Sequence, residues 1–132
     1  MFTDSGKDPV TLENELTGYF RTNVVGNIHL FNLFIPLILK GNAKKVIALS
    51  TGMADLEPAR IYNLHENAAY AISKAALNMA VGKFSAEYSK DGVLFISICP
   101  GMVETGQYGE RKLPRICALS NSKLIEKQCR QK

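Results

Sequence analysis

Apolar residues recur along this chain with two different periods, and the switches between them mark out the elements. Asp8-Pro9 has the form of a helix start, with aspartate at the cap and proline at the first helical position. The helical pattern then runs through TLENELTGYFRTNVVGNIHLFNLFIPLIL, with Leu16, Phe20, Val24 and Ile28 on one face. Gly18, Gly26 and Pro36 interrupt it, so one kink or a broken first turn is expected. Lys40-Gly41-Asn42 stops the helix. Val46 to Leu49 is a continuous apolar run of strand length, as in a parallel strand buried on both faces. Asp55 to Asn67 reads as loop, with Pro58, Asn63 and Asn67 as breakers.

A second helix opens at Glu66 or Asn67, its buried stripe formed by Leu77, Ala80, Val81, Phe84 and Tyr88. Asp91-Gly92 ends it, and VLFISIC is a second buried strand closed by Pro100-Gly101. Helix, strand, helix, strand implies an α/β fold with parallel strands. After Gly106 the pattern fails, apart from a weak helix near SKLIEKQ.

Composition narrows the class. At 132 residues the chain is one domain at most, and a mean hydropathy of −0.03 is that of an ordinary soluble protein. The apolar run IHLFNLFIPLIL is about a dozen residues long and holds His29, Asn32 and Pro36; a spanning helix needs about 20, so a buried helix is expected and no membrane partner. MFTDSGKDPV lacks the basic start and apolar core of a signal peptide. Cys99, Cys117 and Cys129 are odd in number with no CxxC spacing, which reads as reduced thiols in a cytoplasmic setting, without a zinc site.

The formal charge of +4 sits in the tail. Residues 111–132 carry seven Lys/Arg against Glu126 alone, whereas residues 1–110 carry nine basic and eleven acidic residues. A basic tail suits nucleic acid or a membrane surface. No aromatic is interleaved with these charges, so we expect a solvated terminus and no nucleic-acid partner. Residues 1–106 read as the domain and 107–132 as a tail outside its packing.

The candidate chemistry lies between Val46 and Lys74. The strand VIALS ends in two hydroxyls, Ser50 and Thr51, before Gly52; the following helix carries Tyr70 and Lys74. Residues four apart share a helix face, so a phenol and an ammonium stand side by side. A positive charge nearby favours phenolate over phenol. Taken singly, Tyr70 and Lys74 are also an ordinary half-buried tyrosine and a solvated lysine, and Tyr108 and Lys112 repeat the spacing without strand or helix context. Ser50 and Thr51 suit a strand-end cap and turn equally well, and Asn23 a satisfied core amide. His29 and His65 lack ligand-spaced partners; helix packing and loop surface are expected of them.

Four ordered motifs, TNVVG (22–26), VIALSTG (46–52), YAISKAAL (70–77) and CPGMVET (99–105), resemble the short-chain dehydrogenase/reductase family over residues 12–106. The resemblance implies that Tyr70 is the general acid/base and that Lys74 lowers its pKa and binds the nicotinamide ribose hydroxyls. It implies that Thr51, with Ser50 as rival, orients the substrate oxygen, and that Asn23 supports a water relay to the lysine. Pro100, Gly101, Val103 and Thr105 would pass the nicotinamide amide and phosphates. The implied reaction is hydride transfer between NAD or NADP and a small carbonyl or alcohol compound.

Departures from the family pattern set further expectations. No G-x-x-x-G-x-G stretch occurs, nor Asn-Asn-Ala-Gly, and 18 residues separate Thr51 from Tyr70, more than the family usually has. The expected fold is therefore an incomplete Rossmann-like, doubly wound domain lacking the N-terminal glycine-rich half. We expect a truncated product that is inactive on its own, with an inserted loop beside the substrate site. The alternative is a non-catalytic fragment that pairs with a full-length relative through helices 12–39 and 67–90.

Overall fold

A computed structural model describes residues 7–101. Helix α1 (Pro9–Phe20) starts at Asp8, whose carboxylate accepts from the Val10 backbone N–H at 3.1 Å and from the Thr11 hydroxyl. The helical path then widens into a π-helical turn, Arg21–Val25, and continues as α2 (Gly26–Lys40). The expected irregularity exists, and it ends at Gly26, whose N–H closes the π turn on Arg21 O; Gly18 and Pro36 leave the helix unbroken. Pro36 stays inside α2 on an exposed face, where water can serve the Asn32 carbonyl that loses its helical donor. A π turn holds an extra residue, so it rotates the face that follows it. Hence Val24 is buried while Phe20, expected on the same stripe, is 46% exposed.

Strand β1 (Lys45–Leu49) and strand β2 (Leu94–Ile98) pair in parallel, Lys45 opposite Leu94 and Leu49 opposite Ile98. The ladder extends past both ends through Leu94 N–H to Lys44 O and Ser50 N–H to Ile98 O. A 3₁₀ turn, Gly52–Ala54, follows β1, and the segment expected as loop, Asp55 to Asn67, contains a short helix α3 (Leu56–Ile61). Asp55 caps α3 by accepting from the Glu57 N–H, and Pro58 falls in the first turn, where a missing N–H costs nothing. Helix α4 (Ala68–Glu87) follows, packed on α1, the π turn and β2.

The core is Phe31, Ile35, Ala48, Leu77, Val81, Val93 and Phe95, bordered by Val46, Phe84 and Tyr88. Phe95 is fully enclosed, with the rings of Phe31, Phe84 and Tyr88 at 5.7, 5.5 and 6.1 Å. This core lies between one face of the sheet and the helices. Among the described residues nothing covers the other face, so Ile47 and Leu49 are each 59% exposed, against the expectation of strands buried on both faces. Alternation decides this: Val46 and Ala48 point to the helices, and their neighbours point away.

The apolar helix also departs from expectation. Val24, Phe31 and Ile35 reach the core, but Leu30, Leu33, Phe34 and Leu37 are largely exposed. By length and composition, the run Pro9–Lys40 is long and apolar enough to cross a membrane. His29 is exposed where helix packing was expected, and His65 lies on the loop surface. The architecture is α/β with a parallel sheet and mostly helices, a partial Rossmann-like unit. The expectations for Val103, Thr105, Tyr108, Lys112, Cys117, Cys129 and the basic tail fall outside the described residues.

Candidate active site

The carboxyl ends of β1 and β2 lie side by side, the place where open parallel sheets bind ligands. Ser50 is tied by its N–H to Ile98 O at 2.7 Å, and the Gly52 N–H points to Cys99 Sγ at 3.2 Å. These two bonds set Ser50-Thr51-Gly52 against Cys99-Pro100-Gly101. Cys99 is buried, as its strand position suggests. Ser50 is 8% exposed, and its hydroxyl has no hydrogen-bond partner among the described residues. Thr51 is half-buried, and its Oγ1 accepts from the Met53 N–H at 3.3 Å, leaving the hydroxyl proton to be donated elsewhere. Gly101 holds φ +79°, with open space where a Cβ would stand.

Tyr70 and Lys74 stand one turn apart on α4. The Lys74 ammonium lies 5.8 Å from the centre of the Tyr70 ring and donates to Leu49 O, at the end of β1, at 2.9 Å. That bond uses one of three N–H donors and ties the helix pair to the strand end. Partial burial strips the ammonium of water and pushes the Lys74 pKa below the ordinary lysine value of 10.5. On its other side the Tyr70 ring meets Tyr19 edge-on, with centres 5.8 Å apart. Asn14, Glu15, Gly18, Tyr19, Thr22, Asn23 and Tyr70 line an open groove of about 470 Å³ between α1 and α4.

Asn23 occupies the middle of the π turn. Its carbonyl accepts from Asn27 Nδ2 at 2.8 Å, and its own Nδ2 donates to Ser73 Oγ at 2.9 Å. Ser73 Oγ donates to the Tyr70 carbonyl at 2.7 Å. The structure thus joins Tyr70 to Lys74, Lys74 to the strand end that carries Ser50 and Thr51, and Asn23 to the first turn of α4. Sequence reasoning did not single out Ser73. Its signal was there: a serine three residues after Tyr70, flanked within the first turns by Ala68, Ala69, Ala71, Ala75 and Ala76.

On a parallel α/β unit, a tyrosine–lysine helix face is tied to the strand end that carries Ser50 and Thr51, the arrangement that the four sequence motifs lead one to expect. In comparisons with known proteins, the chain matches the short chain dehydrogenase family over residues 4–114, and it belongs to that family. It is 60% identical over 103 residues to the short chain dehydrogenase virK of Hypocrea virens, covering 78% of this chain and 38% of that protein. It is 54% identical over 97 residues to the short-chain dehydrogenase/reductase iacC of Pestalotiopsis fici, covering 74% and 36%. An uncharacterized oxidoreductase of Schizosaccharomyces pombe is 35% identical over 95 residues, covering 72% and 36%. The chain therefore spans less than two fifths of the length of these relatives.

Proposed function

We propose that this chain carries the proton-transfer part of an NAD(P)-dependent oxidoreductase acting on a carbonyl or alcohol compound. One observation carries the reading: Tyr70 and Lys74 share a helix face, and Lys74 is bonded to the strand end that presents Thr51. NAD(P) would supply the hydride chemistry at the substrate carbon, and Lys74 and the Pro100-Gly101 end would hold its nicotinamide side. The residues present suit its nicotinamide end: Lys74 has two N–H donors left for ribose hydroxyls, and Gly101 leaves room at the strand end. Pro100 lies beside it; Val103 and Thr105 are assigned to the same end by family resemblance.

In reduction, Thr51 donates to the substrate carbonyl oxygen, and the Tyr70 phenol gives that oxygen its proton. In oxidation Tyr70 takes the proton back. The Lys74 ammonium stabilises the phenolate left after transfer. Whether the cofactor is NAD or NADP is decided by residues at the adenosine end. Replacing the matching segment of virK with residues 12–106 of this chain tests the reading. We expect the chimera to retain NAD(P)-dependent turnover; a folded chimera that binds cofactor without turnover would refute it.

A second reading rests on the exposed apolar residues of the long helices. Leu33 is 68%, Leu37 62% and Met79 65% exposed, which suits pairing with a second chain through helices 12–39 and 67–90. Light scattering of the purified chain distinguishes this: a mass near 14.5 kDa at micromolar concentration would oppose it. A cytoplasmic location, with neither membrane nor nucleic acid as partner, completes the proposal.

A further inference from the structure

We infer that Ser73 is a positioning residue, which with Asn23 clamps the first turn of α4 and so sets where Tyr70 stands. The inference rests on the reading of Tyr70 as the proton-transfer group. Helix α4 begins without the usual supports. Asn67, at its N-cap, has φ +52° and ψ +42°, its side chain makes no capping bond, and the first turn has no acidic residue. An uncapped helix start leaves its first N–H groups to solvent and frays. Tyr70 is the third residue of that helix, within the turn that would fray.

Ser73 compensates from one turn further on. It is 1% exposed, and its hydroxyl is used in both directions, accepting from Asn23 Nδ2 and donating to the Tyr70 carbonyl. A serine bonding back to its own helix is neutral or unfavourable for the helix alone. Ala68, Ala69, Ala71, Ala75 and Ala76 show what helix propensity and packing favour here. What serine adds at this position is the bond to Asn23. Asn23 is equally unsuited to a helix interior. It lies in the π turn, a feature that recurs at functional sites, and Asn27 satisfies its carbonyl. The result is one chain of hydrogen bonds from α2 through the π turn to the Tyr70 backbone, while Tyr19 holds the ring. Ser73 holds the backbone carbonyl of Tyr70 and Tyr19 meets its ring, so the position of the phenol depends on both.

The test uses the 132-residue chain with ¹³C-labelled tyrosine, the Tyr70 resonance assigned by Tyr70→Phe. Ser73→Ala and Asn23→Ala should each shift the Tyr70 ring resonance and weaken the nuclear Overhauser contact between Tyr19 and Tyr70. The double variant should move it no further than either single one, because both belong to one clamp. An unmoved Tyr70 resonance in a folded Ser73→Ala chain, whatever its melting temperature, would overturn the inference. So would additive shifts in the double variant. If Ser73→Ala does not fold, Asn23→Ala alone decides, because it removes only the cross-helix bond: a shift supports the clamp and no shift overturns it. None of these readouts needs turnover, so the clamp and the catalytic role of Tyr70 fail separately.

Discussion

The chemistry assigned to this chain depends on a few side chains whose environments differ in kind. Lys74 is the one whose charge is least well solvated, and it faces both the Tyr70 ring and a strand carbonyl. Its pKa is lowered in the folded chain, so between that lowered value and 10.5 the unfolded chain binds more protons. Stability linked to Lys74 therefore rises with pH across that interval, and the cost of burying the charge is fully present below it. Denaturant midpoints measured as the pH is raised toward 10.5 should climb more in the parent than in Lys74→Met; parallel curves would contradict the assignment. At the strand end, Thr51 and Ser50 make competing offers. Thr51 is half-buried with its proton free to donate, whereas Ser50 is buried. In the virK chimera, Thr51→Ser should keep turnover and Thr51→Ala should lower it by about tenfold or more. Equal rates for all three would move the role to Ser50.

The elements were legible to different degrees, for physical reasons. Helix α4 could be read because its apolar spacing reflects packing against one layer, strand β1 because a short continuous apolar run between breakers suits a sheet, and Asp8-Pro9 because capping is a local property. The π turn was legible only as an interruption near Gly26; its extra residue was not, because the apolar period does not report how the backbone bonds are spaced. Helix α3 was taken for loop because Pro58 counts as a breaker except in a first turn, where it stands here. The Asp8 cap offers a test at this scale. Thr11 first, and then Val10, hold its carboxylate below the usual value of 3.8 by hydrogen bonding to the charged form. A lowered carboxylate pKa means that the stabilisation is present above 3.8 and is lost as pH falls through the folded value. Asp8→Ala should thus lower stability at neutral pH and change it little in strong acid. A cost that did not change with pH would show that the cap acts without its charge.

At the scale of the whole molecule, the exposed sheet face was the least legible feature. An apolar strand in sequence says that two layers suit it; it does not say that both are present. Ile47 and Leu49 are exposed although their residue types are those of a doubly covered sheet. The same logic bears on the cofactor. The 132 residues include the groups proposed to face the nicotinamide but no G-x-x-x-G-x-G stretch to receive the pyrophosphate. Calorimetric titration of the isolated chain with NAD and NADP, oxidised and reduced, should therefore show no saturable binding in the micromolar range. Saturable binding there would mean that the site is sufficient as it stands, or is completed by a second copy. It would remove the reason for expecting an inactive chain.

The measurement that bears most directly on the account is Tyr70→Phe in the virK chimera carrying residues 12–106, with turnover and cofactor affinity measured on the same preparation. The substitution removes one hydroxyl and leaves the ring, its contact with Tyr19 and the clamp on its backbone in place. A positioned general acid contributes about 10²–10⁴-fold, so turnover should fall by that factor while the NAD(P) dissociation constant changes little. Near-normal turnover in the phenylalanine variant would contradict the assignment of proton transfer to Tyr70.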